Sequence, residues 1–258
     1  MNVLMHNRAA WDLAVDEDDI WTVPVSPETI AAARTGIVNV KLTAEKYVPT
    51  EWLGDVGGKK ILCLASGGGQ QVPIFSAAGA DVTSFDNSEK QLGQDRAVAE
   101  REGLSVRLEH GDAADLSRFE DGRFDMVFNP CSNLFMADLE PIWAEVFRVL
   151  KKGGEFLCGI LKPEVFIFDR FEMDQNKRLV IRHPLPYSDI DSLLPIELKE
   201  LVETGQPLEY SHTLETQLGG QLNAGFYITG LYEDRGPMPA GVLDQFMPTY
   251  IATRALKP

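Results

Sequence analysis

The chain has 258 residues, 44% of them hydrophobic, a length that fits one large domain or one domain with a lid. Its 24 Lys and Arg against 39 Asp and Glu give a net charge of −15, which disfavours nucleic acid as a partner because that binding draws on cationic contacts to phosphates. With no run of 18 apolar residues and no basic-then-apolar start, no membrane span and no secretory signal are expected.

Residues 7–14 read as a short amphipathic helix and 16–19 as a solvated acidic turn. Ser26, Pro27 and Glu28 make a helix start: a capping serine, proline at the first helical position, then an acid. Glu51 to Gly54 closes a helix ahead of the first strand. Residues 1–56 are expected as an N-terminal helical lid segment and 57–258 as the main domain. Trp11, Trp21 and Tyr47 are expected to pack within that lid.

Between 59 and about 163 the pattern alternates. Strands are expected at 61–65, 81–85, 106–110, 124–129 and 155–161, with helices at 71–78, 88–102 and 139–150. Ser88 caps its helix, and Leu92, Ala97 and Val98 lie on one face. Gly153 and Gly154 are expected to close the 139–150 helix. Such alternation predicts an α/β fold, a doubly wound and mostly parallel sheet with helices on both faces. From 164 to 209 the rhythm breaks into prolines, aromatics and acids, as in an insertion over the C-terminal edge of the sheet. A helix is expected at 213–224, then an antiparallel closing pair at 225–233 and 248–256.

Residues 60–64 are followed by Ala65, Ser66 and the triplet Gly67, Gly68 and Gly69, with a helical pattern next. A strand ending in a glycine turn before a helix brings backbone against a ligand. Asp86, nineteen residues beyond Gly67, is placed to hold the two hydroxyls of a ribose. A nucleoside-bearing cofactor is therefore expected. A nicotinamide dinucleotide calls for a third glycine, where this chain has Val72, and no P-loop Lys-Ser/Thr follows.

Several motifs in order then carry a family resemblance. The run 61–69, Asp86, Gly111-Asp112-Ala113-Ala114-Asp115-Leu116, Phe124-Asp-Met-Val-Phe-Asn129-Pro130 and Arg148-Val-Leu-Lys-Lys-Gly-Gly-Glu-Phe-Leu157 resemble the motifs of class I S-adenosylmethionine-dependent methyltransferases. The resemblance covers roughly 50–163 and implies a seven-stranded sheet of order 3-2-1-4-5-7-6 with strand 7 antiparallel. It implies S-adenosylmethionine as cofactor and S-adenosylhomocysteine as product. Backbone at Ala65, Ser66 and Gly67, with Gly69, Gln71 and Gln91, would line the cofactor; Asp86 would take the ribose, and Asn87 the adenine side. Gly111, Asp112 and Ala113 would meet adenine, and Asn129 would lie beneath the methyl-bearing end.

The chain departs from the family in two places. Cys63 stands where the family has an acid that supports the motif loop, and Gln70 or Gln71 is expected to compensate. Ala65 stands where a glycine is common, an acceptable exchange if its φ is negative.

Methyl transfer from a sulfonium needs alignment more than catalytic groups. His212 and Tyr187 are the candidate catalytic residues, the first as a base and the second as a pocket wall. Asn129 and Pro130 match two positions of the N-P-P-Y motif of amino-group methyltransferases. The acceptor is expected to be a small, partly apolar molecule facing the 164–209 insertion and the N-terminal segment, with no nucleic acid, membrane or metal involved. Cys63, Cys131 and Cys158 lack CxxC spacing and are expected as buried free thiols in a reducing cytoplasm. Two other functions fit the glycine turn. One is a non-catalytic cofactor-binding domain; the other is a nicotinamide-dependent oxidoreductase, disfavoured by Val72 and the Gly111-Asp112 pair.

Overall fold

A computed structural model describes residues 1–237 and 241–258; residues 238–240 of the connection before the last strand lie outside the described residues. The strands are β1 (Lys60–Leu64), β2 (Asp81–Asp86), β3 (Val106–His110), β4 (Phe124–Asn129), β5 (Leu150–Leu161), β6 (Tyr227–Asp234) and β7 (Tyr250–Leu256). They form one seven-stranded sheet of order β3-β2-β1-β4-β5-β7-β6. The first five are mutually parallel, and β7 runs antiparallel to both β5 and β6. Ile61 to Leu64 are fully buried, the continuous apolar run of a strand covered on both faces.

The helices are α1 (Val3–Asp16), α2 (Pro27–Arg34), α3 (Thr50–Leu53), α4 (Gln71–Ala77), α5 (Glu89–Glu102) and α6 (Glu140–Val149). The insertion adds α7 (Arg170–Asp174), α8 (Asp189–Ser192) and α9 (Pro195–Glu203), and α10 (Gly220–Asn223) precedes β6. One apolar layer packs Ile30, Val40, Leu42, Trp52 and Leu53 with Ile61, Phe75 and Phe128. The opposite layer gathers Leu62, Phe85, Phe119, Trp143, Val146 and Phe156.

Residues from α2 through α3 share that first layer with β1 and α4. Asp234, buried at the end of β6, accepts the Thr43 hydroxyl and the Glu45 and Lys46 N–H groups at 2.8 Å each, fixing the 43–46 turn. α1, residues 20–25 and the 41–47 segment border the cavity at the C-terminal edge of the sheet.

Two local expectations need correction. Gly153 and Gly154 lie inside β5 instead of closing α6. Phe124 already pairs with Leu150, and the register jumps to Met126 against Glu155, so the intervening residues bulge, with Gly153 at φ +77. The helix expected over 213–224 contains a π turn at Glu215–Gly219 before α10. The Trp143 indole N–H donates to the Thr216 carbonyl at 3.1 Å, taking up a carbonyl in the widened turn.

Candidate functional site

The C-terminal ends of β1 to β5 open into one cavity of about 1860 Å³. The loops after β1, β2 and β3 line one half of it. The loops after β4 and β5, the 164–209 insertion and the 41–47 segment line the other. Of the residues expected at the cofactor, Ala65, Ser66, Gly67, Gln71, Asp86, Asn87, Gln91, Gly111, Asp112 and Ala113 all line this cavity. Gly69 and Asn129 do not.

Asp86 ends β2 with both oxygens engaged. Oδ2 accepts the Gly67 N–H and Oδ1 the Ser88 N–H, each at 2.9 Å. Loss of water raises its pKa, an effect opposed by these N–H donors and by His110. The turn lies so close that a Cβ on Gly67 would stand 2.6 Å from Gln91 Cβ and 3.2 Å from Asp86 Oδ2. Asp112 Oδ1 accepts the Ala114 N–H at 3.0 Å, which stiffens the turn after β3 and presents the carboxyl group to the cavity.

Two buried polar atoms in this half have no protein partner among the described residues: Ser66 Oγ and Gln91 Oε1. Buried polar groups are almost always satisfied. An unpaired hydroxyl and an unpaired amide oxygen, with two carboxylates and a glycine turn, fit a nucleoside cofactor rich in hydroxyl and amino groups.

Ala65 has φ +46, not the negative value expected for an alanine, while its N–H donates to the Phe85 carbonyl at 2.8 Å. Left-handed backbone crowds a Cβ. Both glutamines suggested as compensating for Cys63 are tied to the N-terminal segment. Gln70 Nε2 donates to the Ile20 and Val23 carbonyls at 3.2 Å, and Gln71 Oε1 accepts the Lys41 N–H at 2.9 Å. Asn87 Nδ2 donates to the Leu4 carbonyl at 2.9 Å and its Oδ1 accepts from Arg8 at 3.1 Å, which anchors α1 over the cavity.

Asn129 is fully buried. Its Nδ2 donates to the Leu64 carbonyl at 2.9 Å and to Ser132 Oγ at 2.8 Å, stitching the end of β1 to the loop after β4. The residues that reach the cavity there are Pro130, Cys131 and Ser132.

The two catalytic candidates separate. Tyr187 lines the cavity, stacks on Phe166 at 5.3 Å and donates its hydroxyl to Asp189 Oδ1 at 2.6 Å. Burial and the adjacent carboxylate push its phenol far above its usual pKa. His212 instead lines a separate depression of about 420 Å³ and donates Nε2–H to the Met136 carbonyl at 2.7 Å. The histidine that does line the cavity is His183, whose ring meets Tyr187 edge-on at 4.9 Å. Burial lowers its pKa first, and neighbouring Arg182 adds to that, which favours the neutral imidazole. The broken rhythm of the insertion pointed to its neighbourhood, but nothing in the local sequence set it above His212.

All three cysteines are free thiols; Cys63 and Cys158 are buried, and Cys131 is half-buried at the cavity wall. Among the described residues no helix is long and apolar enough to cross a membrane, and no cluster of His, Cys, Asp or Glu is arranged to hold a metal ion.

Residues 62–158 match the family described as a methyltransferase domain. Over all 258 residues, and the full length of both proteins, the chain is 46% identical to an uncharacterized methyltransferase, YbaJ, of Bacillus subtilis. It shares its fold with an S-adenosylmethionine-dependent methyltransferase from Mesorhizobium loti, with a TM-score of 0.62 and 20% identity over 80% of this chain and 94% of that one. A second such structure is the 1,6-didemethyltoxoflavin-N1-methyltransferase of Burkholderia thailandensis, solved with 1,6-didemethyltoxoflavin and S-adenosylhomocysteine. Its TM-score is 0.60 at 17% identity, over 98% of this chain and 88% of that one.

Proposed function

Because the chain belongs to the class I S-adenosylmethionine-dependent methyltransferases, we propose that it methylates a small, partly apolar molecule seated beneath the 164–209 insertion. One observation carries this reading. The cavity of about 1860 Å³ exceeds the roughly 300–1,000 Å³ of a single small-ligand pocket and spans the loops on both sides of the strand order, room for a cofactor and an acceptor. The side of the glycine turn presents Asp86, Asp112 and the two unpaired buried atoms. The insertion side presents Phe166, Phe168, His183 and Tyr187 beside charged Arg170, Asp189 and Glu209. Family membership removes the nicotinamide-dependent alternative.

When bound, S-adenosylmethionine supplies a sulfonium-activated methyl group, open to in-line displacement, that leaves neutral S-adenosylhomocysteine behind. Asp86 keeps lone pairs for ribose hydroxyls while it holds the glycine turn through Gly67. Asp112, fixed by Ala114, accepts from an adenine amino group, and Ser66 Oγ and Gln91 Oε1 gain partners. α1 and residues 20–25 exclude water, which strengthens each of these contacts.

On the acceptor side, Tyr187 acts as an apolar wall, since its hydroxyl is committed to Asp189. An acceptor that must lose a proton finds a neutral imidazole in His183. The acidic surface favours neutral or cationic acceptors over polyanions. The free thiols support a reducing, cytoplasmic setting.

The test is transfer of a labelled methyl group into fractions of a small-metabolite extract. Label in a low-mass product supports the reading. Label confined to protein or nucleic acid, or none in any fraction while S-adenosylhomocysteine binds, overturns the acceptor class.

A further inference from the structure

Asp95 lies in α5, fully buried beneath the glycine turn. Among the described residues no lysine or arginine pairs with it. An unpaired carboxyl group in that position is costly unless its hydrogen bonds define something the molecule needs. Oδ1 accepts the Gly69 N–H at 2.8 Å, and Oδ2 accepts the Ser84 hydroxyl from β2 at 2.7 Å. The Gly69 carbonyl in turn accepts the Val25 N–H at 2.9 Å.

One chain of hydrogen bonds therefore runs from β2 through α5 to the glycine turn and on to the segment over the cavity. Gly69 is held on both its polar atoms, at φ +73, with Pro24 Cβ only 2.9 Å from where a Cβ on Gly69 would be. The next residue, Gln70, bonds the Ile20 and Val23 carbonyls of the same segment. Loss of the Asp95 carboxyl would leave the buried Gly69 N–H unpaired and the third position of the turn free to shift.

We propose that Asp95 is the positioning residue of the cofactor turn: through the Gly69 N–H it holds the end of the 67–69 turn whose first residue, Gly67, lines the cavity, and through the Gly69 carbonyl it seats residues 20–25 over the cavity. This rests on the S-adenosylmethionine assignment and not on any acceptor. Asp95 touches no reacting atom. Its role is to preorganise the turn, so that binding need not order it.

Asparagine mimics the neutral acid, because its carbonyl accepts from Gly69 while its amide donates to Ser84 Oγ. Calorimetric titration with S-adenosylhomocysteine, beside thermal unfolding, separates positioning from plain stability. The comparison set is wild type, D95N, D95A, D95S and V98A; Val98 is an apolar buried residue of the same helix. D95N should bind within about threefold of wild type, while D95A should weaken binding about tenfold or more. V98A should lower the melting temperature and leave affinity unchanged. Should D95A not fold, D95S carries the same expectation. Heat with wild type and equal affinity in D95A or D95S overturns this proposal alone. No heat with wild type overturns it together with the cofactor assignment on which it rests.

Discussion

The carbonyl oxygen of Leu42 lies over Gly159 so closely that a Cβ on that glycine would stand 1.8 Å from it and 2.9 Å from the Cys131 nitrogen. The Cys131 N–H donates to the same Leu42 carbonyl at 2.9 Å. The N-terminal segment is thus pressed onto β5 with the loop after β4 between them, and both neighbours are backbone. G159A should destabilise the fold by about 2 kcal/mol or more, at the upper end of overpacking costs. Denaturant unfolding checks this, and a variant as stable as wild type would mean that the 41–47 segment is not seated there.

The stability of the protein should carry an Asp95-dependent slope with pH. Burial, with nearby Asp86 adding to it, raises the Asp95 pKa from 3.8 to about 8. Cys63 is the other titratable group facing it. A raised folded pKa gives stability that is fully present below the unfolded value and lost as pH climbs through the folded one. Wild type should therefore lose stability between about pH 4 and pH 8 relative to D95N, by up to a few kcal/mol at about 1.4 kcal/mol per pKa unit. Urea unfolding of both proteins at pH 5 and pH 8.5 measures the difference. Parallel curves would mean that Asp95 titrates normally.

Ala65 carries a strain that glycine would not. At φ +46 its Cβ costs roughly 1 kcal/mol against the following carbonyl. A65G should raise stability by up to about 1 kcal/mol, reduced by the greater freedom of the unfolded glycine chain. Thermal unfolding provides the check, with affinity for S-adenosylhomocysteine expected to be kept. Clear destabilisation would indicate that the turn has another shape.

The two histidines should behave differently. H183A removes the neutral imidazole from the acceptor half and should lower the rate of labelled methyl transfer about tenfold or more if the acceptor loses a proton. H212A removes a side chain bonded to the Met136 carbonyl outside that cavity, so its effect should fall on melting temperature. Equal rates for wild type and H183A would take His183 out of the chemistry.

The strands and the glycine turn were legible in the sequence because buried parallel strands are apolar along their whole length and punctuated by turns. Asp86 was legible through its spacing. The resemblance supplied the strand order, which local pattern alone does not encode. Asp95 was hidden because an acid in a mostly polar helix reads as solvent-facing, and only packing against Gly69 and Ser84 shows otherwise. Asn129 looked like a ligand-facing strand end, yet the Leu64 carbonyl at the end of β1 and Ser132 in the loop after β4 use both its amide hydrogens. Gly153 read as a helix stop because a positive φ serves a bulge as well as a cap. Between His183 and His212 the sequence offered no distinction, since which loop faces a cavity is a property of the tertiary fold.

The most direct test of the central claim is calorimetric titration of S-adenosylhomocysteine into the wild-type protein and Asp86→Ala. Wild type should give saturable heat at one site per chain and the variant about a hundredfold weaker binding, from two charge-assisted hydrogen bonds lost. Absence of heat in wild type at high protein concentration, or undiminished affinity in Asp86→Ala, would contradict that claim.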